Sequence, residues 1–303
     1  MRMKLGRPDI TRYADRFDLA PATGGLGVTF LGVATLLLDD GDTAILTDGF
    51  FSRPSLARVA LGRIAPDHAR IAHGLQRAGI ERLDAVVPLH SHYDHVLDSP
   101  AVAERTGAVV VGDGSAANVA RGQGLPADRI LVVKDGGAAS FGAFELTWVR
   151  SEHCPPDRYP GAISAPVVPP TRAGAYRCGE AWSLLVVRRD GQRVLVQGSA
   201  GFRRGALVGQ RAEIAYLGIG QLGLQPEAYL RTYWEETVTT VGARRVVLIH
   251  WDDFFRPLVR GLRALPFAGD DLDVTMRVLV GLADRDGVTL HLPTLWRRED
   301  PWA

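Results

Sequence analysis

Apolar positions change period from segment to segment along this chain, and those changes lay out its elements. Residues 28–38 (VTFLGVATLLL) and 43–47 (TAILT) are apolar runs joined by Asp39-Asp40-Gly41-Asp42, which predicts a β-hairpin. The second strand ends in Asp48 and leads into Gly49-Phe50-Phe51-Ser52-Arg53-Pro54, a loop of aromatic and turn residues. Ile71, Ala72 and Leu75 lie at helical spacing within 66–78, and Gly79 stops that helix. Residues 83–89 (LDAVVPL) have the apolar character of a buried strand. Beyond them helix and strand alternate, with helices predicted at 99–106 and 116–121 and strands at 108–111, 130–133 and 144–149. A hairpin over 181–187 and 194–197 turns at Asp190-Gly191, and a strand at 213–217 follows. A helix over 226–241 places Leu230, Tyr233, Trp234 and Val238 on one face, and 246–249 is a strand running into His250. No internal repeat or low-complexity linker interrupts this order. The pattern predicts one α/β domain over 1–303, two mixed sheets packed together and covered by helices. Its core covers roughly 27–255, with a cap in 1–26 and an extension in 256–303.

Composition narrows the function classes. Hydrophobic content of 46% and charged content of 23% are those of an ordinary globular protein, which removes disordered and fibrous readings. The net charge is +1 and no long basic run occurs, so neither nucleic acid nor an anionic membrane is an expected partner. A small-molecule substrate is expected instead, and a homo-oligomer is left open. The longest apolar run, 28–38, is broken by Gly32 and too short to cross a bilayer, and no signal-peptide core precedes it. Cys154 and Cys178 are the only cysteines, too few for a disulfide framework or a CxxC zinc site, so a reduced, cytoplasmic setting is expected. Gly112-Asp113-Gly114 lacks the rest of a nucleotide fingerprint and reads as a turn.

The chemistry concentrates in His90-Ser91-His92-Tyr93-Asp94-His95, four of whose six side chains can bind a first-row metal ion. His90 and His92, two apart at a strand end, point the same way on an extended chain and can grip one ion. Asp94 and His95 lie past the bend and face a second ion or the metal-bound water. His153 follows the strand 144–149, just before Pro155-Pro156, and His250 ends the strand 246–249. A lone histidine is ordinarily a core or surface residue, the reading kept for His68, His73 and His291. Beside HxHxDH, and at strand exits, His153 and His250 become ligand candidates. Tyr93, Trp251, Phe50, Phe51 and Phe254 are candidates for apolar walls beside the metals or for core packing.

This order of residues resembles the metallo-β-lactamase superfamily. The segments TFLGVATLLL…ILTDGFF and VVLIHWDDFF resemble its branch of ascorbate-6-phosphate lactonase-like and N-acyl-phosphatidylethanolamine phospholipase-like proteins. The resemblance implies a four-layer αββα sandwich of two mixed β-sheets flanked by helices. It also implies that His90, His92 and His153 hold one metal, that Asp94, His95 and His250 hold a second, and that Asp48 lies near both. Zn2+ is the implied ion, with Mn2+ or Fe2+ as alternatives. The chain departs from the family pattern in the segment 194–201 (VLVQGSAG), where Ser199 stands in place of an aspartate that bridges the metals. Val33 and Gly49 are smaller departures, at positions that often hold His and Pro.

The loss of that carboxylate has an electrostatic consequence. Two divalent ions about 3.5–4 Å apart repel one another, and one negative charge fewer compensates them less. One tight metal and a second that is weak or absent are therefore expected. The expected activity is hydrolysis of an ester, lactone or phosphodiester by a metal-activated water, with Asp94 orienting it or accepting its proton and His250 binding the second ion or stabilising developing charge. The rival reading, motivated by Ser199, is a degenerate member that binds metal or ligand without catalysis.

Overall fold

Alternation within short strands decides how the layers of this molecule form. A computed structural model describes residues 4–303, and residues 1–3 of the predicted cap lie outside them. The first half of the chain supplies β1 (Ala20–Pro21), β2 (Gly27–Phe30), β3 (Leu36–Asp39), β4 (Ala44–Thr47), β5 (Ala85–Val87), β6 (Val109–Gly112) and β7 (Ile130–Val132). The second half supplies β8 (Ala138–Phe141), β9 (Phe144–Ser151), β10 (Ala181–Arg188), β11 (Arg193–Gln197), β12 (Ile214–Gly218), β13 (Arg245–Ile249), β14 (Thr289–His291) and β15 (Arg298–Asp300). They form one sheet ordered β1-β15-β2-β3-β4-β5-β6-β7 and another ordered β14-β13-β12-β11-β10-β9-β8. Each sheet is mixed. From β4 to β7 and from β11 to β14 the strands run parallel, while β2 to β4 and β8 to β11 are antiparallel.

Successive side chains of a strand point to opposite faces. Accordingly Leu36 and Leu38 of β3, Ile45 of β4, and Ala85 and Val87 of β5 join Leu146, Trp148, Leu184 and Val186 in the core between the sheets. Their intervening neighbours Leu37, Leu46 and Val86 pack outward against Ile71, Leu75, Val102 and Ala120. Those residues belong to helices α2 (His68–Arg77), α4 (Ser99–Thr106) and α5 (Gly114–Gly122), which follow α1 (Leu56–Leu61) and flank the short α3 (Tyr93–Val96). On the second sheet, α6 (Glu227–Trp234) and α7 (Leu272–Asp286) bury Leu230, Tyr233, Trp234, Met276 and Leu279. Each such side chain stabilises the fold by about 1.5–3 kcal/mol when fully buried. The four-layer αββα sandwich is thus the observed architecture.

Local chemistry sets the element ends. The Asp67, Asp113 and Asp271 carboxylates accept backbone N–H groups at the starts of α2, α5 and α7, a contribution of about 1 kcal/mol each. Gly112-Asp113-Gly114 is therefore a strand-to-helix turn. The run 28–38 is two strands, not one: at Gly32 (φ 91°) and Val33 (φ 54°) the chain reverses, and Leu31 N–H donates to Thr35 O at 2.9 Å. The predicted helix 226–241 is α-helical only to Trp234, after which a wider turn lets Thr240 N–H reach Glu235 O. The pattern of the sequence had not indicated α1, α7 or β8. Residues 256–303 supply α7, the edge strand β14 of the second sheet, and β15, which lies between β1 and β2 in the first. Among the described residues no helix is long and apolar enough to cross a membrane.

Candidate metal centre

The exits of β4, β5, β9, β11 and β13 carry Asp48, His90, His153, Ser199 and His250. Strand exits are where α/β sheets ordinarily place their sites, because connecting loops can present side chains there without disturbing the ladders. His90 lies in a bend just beyond β5, and His92 follows in extended backbone. His92 is the N-cap of α3, whose first turn turns Asp94 and His95 to another side, so the helix begins inside the HxHxDH run.

The predicted residues form two donor sets, and His92 also lies in a third group with Asp157 and Cys178. His90, His92 and His153 place one ligand atom each within 4.8 Å of one another, and so do Asp94, His95 and His250. Nε2 of His90 lies 3.2 Å from Nδ1 of His92, and Nε2 of His95 lies 3.2 Å from Nε2 of His250. The Asp94 carboxylate is 3.5 Å from His250 Nε2 and 3.8 Å from His95 Nε2. The sets adjoin, since the His90 and His95 rings are 3.7 Å apart between centroids. All six residues predicted from the sequence are thus brought together.

Hydrogen bonds behind the rings assign their tautomers. His95 Nδ1–H donates to Asp48 Oδ2 at 2.6 Å, and His153 Nδ1–H donates to the Cys154 carbonyl at 2.8 Å. Their Nε2 lone pairs therefore face inward, bare. His92 Nε2 faces Asp157 Oδ1 at 3.1 Å, which leaves Nδ1 toward His90. The bare Nε2 of His95 lies 3.2 Å from His250 Nε2 with the Asp94 carboxylate beside both, so two imidazole nitrogens and a carboxylate oxygen converge in a buried space, a donor set that fits a divalent metal.

Electrostatics agree with the geometry. Burial, reinforced by the neighbouring histidines, holds His90 well below the ordinary histidine range, and burial lowers His153 to about 4. Both are neutral and available at neutral pH. Burial opposes ionisation of Asp94, but His95 and His250 outweigh it and hold the carboxyl well below its usual range. His250 is raised, because its contact with Asp94 outweighs its burial.

Backbone strain is concentrated beside these groups. Asp48 (φ 54°), His250 (φ 60°) and Val33 (φ 54°) all occupy the left-handed region, at about 1–3 kcal/mol each. Asp48 is held there by Leu89 N–H on its Oδ1 at 2.8 Å, besides His95. Val33 accepts His250 N–H at 2.6 Å and donates its own N–H to Asp252 at 2.8 Å. The strain thus fixes His250 against the first sheet.

Ser199 is buried, and its Oγ accepts Cys154 N–H at 3.0 Å, so it steadies the segment that carries His153 and joins neither donor set. Trp251 is buried in the core between the sheets, and Phe51 in the core between the first sheet and its helices. Phe50 and Tyr93 pack edge to face in a third cluster, and half-buried Phe254 stands edge-on to His250 at 5.7 Å. His68 and His73 are exposed, and His291 pairs with Asp18 at 2.6 Å away from the centre. At Pro155–Pro156 the chain bends, and Asp157 beyond it lies against His92. Sequence reasoning missed Asp157, which belongs to no spaced motif. It also missed a polar cavity of about 450 Å³ beside His153, walled by Arg150, Glu152, Asp157, Glu180 and Arg203.

Comparison with known proteins places this geometry. A family model described as a β-lactamase superfamily domain matches residues 43–251. A curated protein from Rubrobacter xylanophilus, named UPF0173 metal-dependent hydrolase, is 29% identical over 131 residues, 43% of this chain and 47% of that protein. The chain spans about half the length of the curated relatives it matches. Among solved structures, the metallo-β-lactamase fold protein YhfI from Bacillus subtilis superposes with a TM-score of 0.51 at 14% identity, covering 91% of this chain and 97% of that one. CmlA, a diiron β-hydroxylase from Streptomyces venezuelae, superposes with a TM-score of 0.57 at 15% identity, covering 93% of this chain and 55% of that one. Such distant likenesses establish the fold alone. With its family model matched over most of its length and two mixed sheets between helical layers, the chain belongs to the β-lactamase superfamily and has the metallo-β-lactamase fold.

Proposed function

We propose that this chain is a metal-dependent hydrolase acting on an ester, lactone or phosphodiester bond of a small molecule. The observation that carries the reading is the pair of adjoining donor sets, His90, His92 and His153 beside Asp94, His95 and His250. The first set would hold one ion, for which Zn2+ is proposed, with Mn2+ or Fe2+ as alternatives. The second set would hold its ion more weakly, because Ser199 offers no bridging carboxylate. An ion bound here supplies a water nucleophile near neutral pH and polarises the oxygen under attack. Asp94, held ionised by its histidine neighbours, is suited to orient the attacking water by accepting its hydrogen bond. His250, whose proton affinity Asp94 raises, can donate a proton to the leaving oxygen when it is not serving as a ligand. The cavity beside His153 falls in the range that takes small molecules, and its charged walls suit a polar one. The curated relatives from Rubrobacter xylanophilus and Heliobacterium modesticaldum are named metal-dependent hydrolases, which supports metal-dependent hydrolysis. Two buried, unpaired cysteines suit a reducing, cytoplasmic setting.

The test is a panel of lactones, aryl esters and bis-aryl phosphodiesters offered to zinc- or manganese-loaded protein, beside His92→Ala. That substitution is expected to remove both metal binding and turnover. Activity retained in the metal-free variant would refute the reading. Ser199, already engaged with Cys154 N–H, motivates the rival one. A wild-type protein that keeps its metal and turns over nothing in the panel would select a non-catalytic binding module.

A further inference from the structure

The centre contains a carboxylate that the proposed reaction does not use. Asp157 Oδ1 lies 3.1 Å from His92 Nε2, while the Tyr159 carbonyl is 3.4 Å from the same nitrogen. A neutral imidazole carries one ring proton. With a carboxylate and a carbonyl both facing Nε2, that proton belongs on Nε2, and Nδ1 keeps its lone pair toward His90, 3.2 Å away.

Asp157 is itself built into place. Its Oδ1 accepts Tyr159 N–H at 2.9 Å, and the buried Cys178 thiol lies within 4.8 Å of its carboxylate. Backbone bonds fasten the same segment: Cys178 N–H donates to Tyr159 O at 2.8 Å and Gly179 N–H to Gly161 O at 3.0 Å. On its other side, the Cys178 carbonyl accepts Ser91 N–H at 2.7 Å. Residues 178–179 therefore strap the 157–161 loop to the HxHxDH loop. The arrangement parallels Asp48 behind His95, so each donor set has one histidine backed by a carboxylate.

We propose that Asp157 is the positioning residue of the first donor set. It fixes His92 with Nδ1 facing the ion and puts back, one imidazole away, part of the negative charge that Ser199 does not supply. The proposal rests on the metal-centre reading above. Its side chain is 22% exposed against 0% for Asp48, so solvent screens its charge more, and orientation is its larger effect.

Two measurements test it. Metal-free protein titrated with Zn2+ against a chelating indicator should bind its first equivalent about 10–100-fold more weakly in Asp157→Ala. Asp157→Asn should recover most of that loss, because the amide oxygen still accepts the Nε2 proton. His92→Ala is the reference and should lose the first equivalent outright. If His92→Ala binds as wild type, the metal-centre reading itself fails. If His92→Ala fails to bind while Asp157→Ala binds as wild type, the role of Asp157 alone is overturned. The second measurement needs no variant to fold: the ring 15N shifts of metal-free wild type should report the Nε2–H tautomer at His92, and an Nδ1–H tautomer would overturn the proposal.

Discussion

Asp94 and His250 share one favourable charge interaction, and that sharing sets the order in which protons displace ions. A histidine binds metal only when neutral, so protons compete first where the histidine's proton affinity is highest. His250 is raised by Asp94, whereas burial lowers His153 to about 4. As pH falls, the ion held by Asp94, His95 and His250 should leave before the one held by His90, His92 and His153. Metal titrations repeated across a descending pH series would check this, and the reverse order would contradict it. Ser199 provides the complementary experiment. An aspartate there could still accept Cys154 N–H while adding the missing negative charge. Ser199→Asp should therefore raise the metal retained through purification from about one to about two equivalents per chain. Unchanged stoichiometry would show that the bridging charge is not what limits the second ion.

At the scale of elements, the centre depends on how closely strand exits approach. Gly201, after β11, lies so near the β9 exit that a Cβ would overlap the Glu152 carbonyl oxygen. That backbone leads directly into His153. Gly201→Ala should displace it, costing about 1–3 kcal/mol of stability and weakening the first metal site together. Thermal unfolding and zinc titration of the same variant would check the coupling, and lost stability with undiminished zinc affinity would break it. The strands themselves were legible in the sequence because alternation and apolar runs report a half-buried or doubly covered strand. Their meeting points were not, since glycine at 201 looks in sequence like any turn residue. The same limit explains the run 28–38. Gly32 marks a break in its apolar character, but the chain reversal there depends on Val33 being held at positive φ by Asp252 and His250, residues over two hundred positions away.

For the molecule as a whole, the two sheets are tied across the centre by a buried ion pair. Arg53 follows β4 in the first sheet and Asp252 follows β13 in the second, 2.7 Å apart with both side chains fully buried. The contact is close without in-line hydrogen-bond geometry, and Asp252 Oδ1 accepts Val33 N–H besides. Removing one partner leaves the other charge uncompensated in a dry interior. Asp252→Ala should thus cost about 3–5 kcal/mol in urea unfolding. A loss below about 1 kcal/mol would mean that the pair does not hold the sheets.

The sequence by itself determined the fold class, the HxHxDH run, its strand-exit partners His153 and His250, and the absence of a carboxylate at 199. Those features are local, written in periodicity and in the chemistry of side chains a few residues apart. Tertiary structure alone decided which ring nitrogen of His92, His95 and His153 faces inward, because the partners that fix it, Asp157, Asp48 and the Cys154 carbonyl, are set by packing. It likewise decided that Ser199 serves Cys154 and that Arg53 meets Asp252. Such contacts join residues whose separation along the chain carries no pattern, since the folded backbone brings them together through strands and loops in between.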